Sequence, residues 1–134
     1  MCFKLFSDMG MDAKEIALII SAIGNHDEGT GIPVSNIAAA LIIADKCDVR
    51  RSRVRNTNFT EFDIHDRVNY SVTSSNIVVD EDDKTCTLSL EIDSTISPVM
   101  DYFEIFLHRM KMCKNAAKKL GLDFKFKINN QSII

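Results

Sequence analysis

Residues 25–55 read NHDEGTGIPVSNIAAALIIADKCDVRRSRVR. A polar loop with two glycines comes first, then an apolar segment rich in alanine, then a run of arginines. The loop, residues 26–32, separates two segments of helical period. Pro33 suits the first position of a helix, where its missing N–H goes unneeded. From Val34 to Val54 the spacing predicts a helix, with Ile37, Ala38, Leu41, Ile42, Asp45 and Val49 recurring at intervals of three and four. Ala38, Ala39 and Ala40 permit close approach of another helix. Upstream, Phe3, Leu5 and Phe6 begin a short helix that breaks at Met9-Gly10. Asp12 with Glu15 forms a capping-box pattern ahead of Ile16, Ile19, Ile20 and Ile23, and Gly24-Asn25 stops that second helix.

Beyond the arginines the period changes. Residues 50–60 form a polar connector. Val68, Tyr70 and Val72 alternate with polar residues and predict a strand that continues through Ile77–Val79 to the acidic turn at residues 80–83. Cys86, Leu88, Leu90 and Ile92 alternate strictly with polar residues, so a hairpin with one buried face is expected. Ser97-Pro98 then opens a long helix striped by Val99, Phe103, Phe106, Met110, Cys113, Ala117 and Leu120, ended by Gly121. Such a stripe also suits a coiled coil, but packing against the sheet is the simpler use. Phe124, Phe126 and Ile128 give a third strand. The expected fold class is α+β: N-terminal helices in residues 1–58, then a β-β-α-β unit in residues 59–134. That unit is expected to be a three-stranded antiparallel sheet on one long helix, its first strand in the middle.

Composition limits the function classes. The chain has 134 residues, enough for one domain or two small subdomains sharing a core. A net charge of −3, with no aromatics interleaved among the arginines, argues against nucleic acid. The apolar runs are too short to span a bilayer, and no secretory signal opens the chain. The four cysteines lie far apart without zinc spacing, so free thiols in a cytoplasmic protein are expected.

The candidate chemistry clusters around the loop and the helix after it. His26, Asp27 and Glu28 offer three potential ligands on one turn, although a loop histidine often only partners a helix end. Asp45 follows four apolar residues, and a carboxylate on such a helix needs a partner. Lys46 or an arginine would serve; so would a divalent metal shared with His26. Arg50, Arg51, Arg53 and Arg55 are either a solvated face or an anion site. His65-Asp66 and His108 read as structural or surface residues.

The segments AIGNHDEGTGIP and AALIIADKCDVRRSRVR, continued by DIHDRVNY and VMDYFEIFLHRM, resemble the C-terminal half of small bacterial proteins of the HD superfamily of metal-dependent phosphohydrolases. The likeness covers nearly the whole chain. It implies a divalent metal (Mn, Mg or Fe) that activates water against a phosphoester of a nucleotide or other phosphorylated small molecule. It makes Asp45 the family's last metal ligand and His26 a late one. Asp27 or Glu28 becomes an auxiliary ligand or proton acceptor, and Arg50, Arg51 and Arg53 become phosphate contacts. The family's first His and its His-Asp dipeptide belong ahead of the first helix here. The chain is therefore expected to be truncated and weak or inactive alone. Alternatively it is a non-catalytic module that forms a homodimer or docks on a partner supplying the missing helices.

Overall fold

The computed structural model describes residues 1–134 as a mixed α+β protein. Helix α1 spans Cys2–Asp8 and α2 spans Ala13–Gly24, capped by the Asp12 side chain, which accepts from the Lys14 N–H at 2.9 Å. Helix α3 runs from Asn36 to Lys46. It is shorter at both ends than its periodicity suggests. Ser35, not Pro33, sets its start: the Ser35 hydroxyl accepts from Ala38 N–H at 3.1 Å. After Lys46 the chain turns, burying Val49 completely while Asp48 collects the guanidinium groups of Arg50 and Arg53. Single 3-10 turns follow at Arg51–Arg53 and Phe59–Glu61.

The stretch around Val68 is a helix, α4 (Ile64–Ser71), and not the start of a strand. Val68 and Val72 are both buried and stand four apart, a separation that fits one helix face as well as alternate strand positions. The Asp63 carboxylate decides between them by capping Asp66 N–H at 2.8 Å.

Strand β1 (Val72–Asp80) pairs antiparallel with β2 (Thr85–Ile92). Helix α5 (Val99–Lys119) then crosses to β3 (Asp123–Ile128), and a short β4 (Gln131–Ser132) completes the sheet. The order is β1-β2-β3-β4, with β3 parallel to β2. This corrects the expected three-stranded, all-antiparallel sheet with its first strand in the middle. Twenty-one residues of helix span roughly 31 Å and carry the chain back past the whole of β2. The next strand must therefore run in the same direction as β2. The fourth strand follows from Asn129 and Asn130, which take φ of 49° and 64° and close a tight hairpin.

Cys86, Leu88, Leu90 and Ile92 of β2, with Phe124, Phe126 and Ile128 of β3, point to one face and meet α5. Phe106, Met110, Cys113 and Ala117 of the expected α5 stripe are buried, and Val99, Phe103 and Leu120 pack at its margin. Tyr102 is also fully buried and donates to Met110 Sδ at 3.4 Å. Ala39, Ile42 and Ile43 of α3 cover another side of α5, so residues from both halves of the chain share one core cluster. No helix is long and apolar enough to cross a membrane.

Truncation of a wholly buried central residue tests this arrangement. Leu88→Ala is expected to cost about 2–5 kcal/mol in urea unfolding. Val78→Ala, at a site 52% exposed on β1, should cost under about 0.5 kcal/mol.

Candidate functional site

The loop after α2 folds back onto α3 and α5. Gly31 is a close approach: a Cβ there would collide with Met112 Cε and lie 3.1 Å from Asp27 O. Glu28 reaches across this contact, accepting from Arg109 Nε on α5 at 2.8 Å. Its other oxygen lies 3.2 Å from Lys46 Nζ on α3. Lys46 also binds Asp45 Oδ2 at 2.6 Å and approaches Asp27 Oδ1 at 3.9 Å. Lys46 is only 2% exposed, so three carboxylates gather around a buried ammonium. Burial pushes the Lys46 pKa down, but hydrogen bonds to Asp45 and Glu28 outweigh it and the net direction is upward.

Glu28 moves the other way, to about 2. A hydrogen bond with the Asp27 side chain is the largest influence. Burial opposes it, while the Glu28 N–H, Lys46 and Arg109 add to it.

His26 is placed differently. Its Nδ1 lies 2.6 Å from the Ile23 carbonyl and donates to it, closing the end of α2. The neutral ring then keeps its lone pair on Nε2, the arrangement in which a histidine can ligate a metal. No hydrogen bond or ion pair joins His26 to Asp45, and no group of three or more His, Cys, Asp or Glu side chains is arranged to hold a metal ion. The carboxylates that would serve a metal are turned toward Lys46. As arranged, the residues present do not form a metal cage.

The arginines divide into two sets. Asp48 accepts from Arg50 Nε at 2.9 Å and from Arg53 Nη1 at 2.7 Å. With Ser52 and Arg55 these residues line an entirely polar bay of about 400 Å³. Arg55 has no ion-pair partner. Arg51 lies apart, donating to the Tyr70 carbonyl at 2.7 Å with its guanidinium 4.4 Å from the Tyr70 ring centre. A second cleft of about 470 Å³ lies between α3 and the β1–β2 hairpin. Leu41, Ile77 and Leu88 form its apolar lining, and Asp45, Asp48, Arg50 and Ser75 supply polar groups. Asp48 and Arg50 border both spaces, so the cleft runs into the bay.

Comparisons of the chain with protein-family models, with curated proteins and with solved structures each found no match.

The structure thus joins Asp27, Glu28 and Asp45 through Lys46, joins Arg50 and Arg53 through Asp48, and sets His26 on the nearby Ile23 carbonyl and Arg51 on the distant Tyr70 carbonyl. Sequence reasoning offered Lys46 as a partner for Asp45 but not as the centre of the cluster, counted Arg55 among the candidate anion-site arginines, and passed over Arg109 and Ser75. Lys46 and Arg55 stood within the quoted stretch. Arg109 lies 81 residues from Glu28, and nothing local marks the pairing.

The Glu28 ties have a pH signature. A carboxylate lowered on folding contributes stability that is fully present above its ordinary 4.5 and is lost as pH falls toward about 2. Protection of the amides of residues 25–32, measured against their intrinsic exchange rates at each pH, should therefore fall across that window, and Glu28→Gln should flatten the response.

Proposed function

We propose that this chain is a ligand-binding unit of the HD type of metal-dependent phosphohydrolase, acting on a phosphoester of a nucleotide or other phosphorylated small molecule. The observation that supports this best is the continuity between the α3–β1 cleft and the arginine bay through Asp48 and Arg50. Arg55, free of carboxylates, makes the first contact with phosphate. Arg50 and Arg53 turn to it in exchange for Asp48, since guanidinium forks suit phosphate and carboxylate alike. The apolar lining formed by Leu41, Ile77 and Leu88 takes the organic body of the ligand.

In this reading Asp45 and His26, through Nε2, are the residues that would hold a divalent ion (Mn, Mg or Fe), and Asp45 is tied to Lys46 in this structure. His26 and Asp45 alone are a sparse ligand set, so the chain by itself turns over slowly or not at all. Asp27 and Glu28 hold Lys46 and Arg109 and serve the ion or a proton only once those contacts loosen.

The assay is hydrolysis of p-nitrophenyl phosphate with Mn²⁺, Mg²⁺ or Fe²⁺, beside calorimetric binding of AMP. Slow metal-dependent turnover, lost in Asp45→Ala, is the most that this chain alone is expected to give. AMP affinity reduced about tenfold or more by Arg50→Ala with Arg53→Ala is also expected, given the usual worth of charge-assisted hydrogen bonds. No turnover, together with AMP binding indifferent to the arginines, removes this reading.

A second reading, a docking or dimerisation module, is favoured by the outer face of the N-terminal helices. Helix α1 buries no residue, and Phe3, Leu5, Met9, Leu18, Val34 and Ile37 are all exposed. Of these, Leu18 and Ile37 share one largely apolar hollow with Met11 and Ile19, and contiguous exposed apolar surface marks an interaction site. Sedimentation should show concentration-dependent association that Phe3→Ser with Leu5→Ser abolishes; a monomer at every concentration contradicts it.

A further inference from the structure

Strand β1 turns Ser75, Ile77 and Val79 to one side, since alternate residues share a face. That side looks at α3: Ser75 Oγ donates to the Cys47 carbonyl, at the end of the helix, at 3.0 Å. Yet Ile77 and Val79 remain largely uncovered. The reason lies in α3. Ala40 and Ala44, one turn apart on its outer face, are exposed and too short to reach the strand. The gap is a hollow of about 230 Å³ whose eight lining side chains are all apolar, with Leu120 and Leu122 completing the wall.

The hollow is not isolated. Ala44 and Ile77 line both it and the cleft that holds Asp48 and Arg50, and that cleft runs into the arginine bay. One groove therefore changes character along its length. It is wholly apolar beside Val79, mixed beside Ser75, and wholly polar at Arg53 and Arg55. Val79 and Ser75 are four strand residues apart, about 13 Å. No aromatic side chain lines any of the three spaces. Phe59, Phe62 and Tyr70 pack on one another beside Arg51 instead. A nucleobase in the hollow would lack a stacking partner, and its N–H and C=O groups would meet no polar side chain, which is costly. An aliphatic chain has no such groups and gains from every methylene it buries.

We propose that the groove binds a phosphate ester of an aliphatic chain, with the phosphate in the arginine bay and the chain laid along α3 into the hollow. This rests on the reading that Arg50, Arg53 and Arg55 receive a phosphate, and it names the body that the phosphate carries. The charge runs the right way: cations gather at one end only, so a ligand with an anionic head and an apolar tail has a single orientation.

The probes are ethyl, butyl, hexyl, octyl and decyl phosphate, titrated by calorimetry below their micelle concentrations, with AMP as the reference. In the wild-type chain affinity should rise about two- to fourfold per added methylene and then level off once the hollow is filled. Decyl phosphate should bind more tightly than AMP. Arg50→Ala with Arg53→Ala should weaken every member by a similar factor, about tenfold or more. Ala44→Leu, a substitution that an exposed helical site accepts, narrows the passage from cleft to hollow and should flatten the series beyond butyl phosphate.

A flat series in the wild-type chain, with binding still dependent on the arginines, overturns the aliphatic ligand and leaves the phosphate site standing. So does a rising series indifferent to Ala44→Leu, which puts the chain elsewhere. Absence of binding by every phosphate, or a rising series indifferent to the arginines, removes both. Phosphatidylcholine vesicles carrying phosphatidic acid present the same two groups from a membrane. The protein should stay in solution when they are sedimented; co-sedimentation lost in Ala44→Leu overturns the free ester in favour of a lipid held in a bilayer.

Discussion

The fold depends on the need of α5 for two apolar neighbours. Its buried residues, Tyr102, Phe106, Met110, Met112, Cys113, Ala116 and Ala117, span more than one stripe, so a single sheet cannot cover them. The sheet takes one side through Leu88, Phe124 and Phe126, and α3 takes another through Ala39, Ile42 and Ile43. Small residues make the second contact possible: Ala39 on α3 and Ala116 and Ala117 on α5 are all fully buried in the shared core. Cys47 and Cys113 bring their sulfurs within 3.7 Å where the two helices meet. The candidate site follows from this contact. The end of α3 lies between α5 and the β1–β2 hairpin, and Asp45, Lys46 and Asp48 lie at that end.

Electrostatics at this end is organised by pairing rather than by exposure. Most of the basic and acidic groups that the sequence presents as free are taken by a neighbour, Asp45 by Lys46, Glu28 by Lys46 and Arg109, Arg50 and Arg53 by Asp48, while Arg55 has no ion-pair partner. Groups tied in this way are oriented and partly dehydrated before any ligand arrives, which lowers the ordering cost of binding. The same ties set a threshold, because an incoming anion or cation must displace an internal partner of its own sign.

Much of this was legible in the residues. The strict alternation of Thr85–Ile92 and the stripe of Val99–Leu120 needed no tertiary context, since both patterns are long relative to their period. Val68-Tyr70-Val72 was too short to separate a period of 2 from a spacing of four, and the Asp63 cap that resolves it lies outside the alternating residues. The sheet order was missed because pairing direction depends on how far a connecting helix carries the chain, not on strand composition. The hairpin to β4 was announced only by two adjacent asparagines. At the site, sequence picked out the acids and arginines and offered Lys46 as a partner for Asp45, but not as the buried centre of three carboxylates. A lysine on a helix end is usually solvated, and its burial depends on a loop and a second helix closing over it.

Strand β1 is bonded to β2 on one side only and lies at the border of the sheet. Its outer row of amide and carbonyl groups lacks a strand partner, and Ile77, Val78 and Val79 beside it are 39%, 52% and 55% exposed. Such a border is a template on which another extended chain can zip. Two local features shorten the usable length. The register slips between Val72 and Ser74, and the acidic tip at Asp80–Asp83 repels a second copy of itself. Solubility of this protein at high concentration is therefore guarded by a one-residue irregularity and a handful of negative charges, and neutralising that tip would leave the border open to fibrous growth.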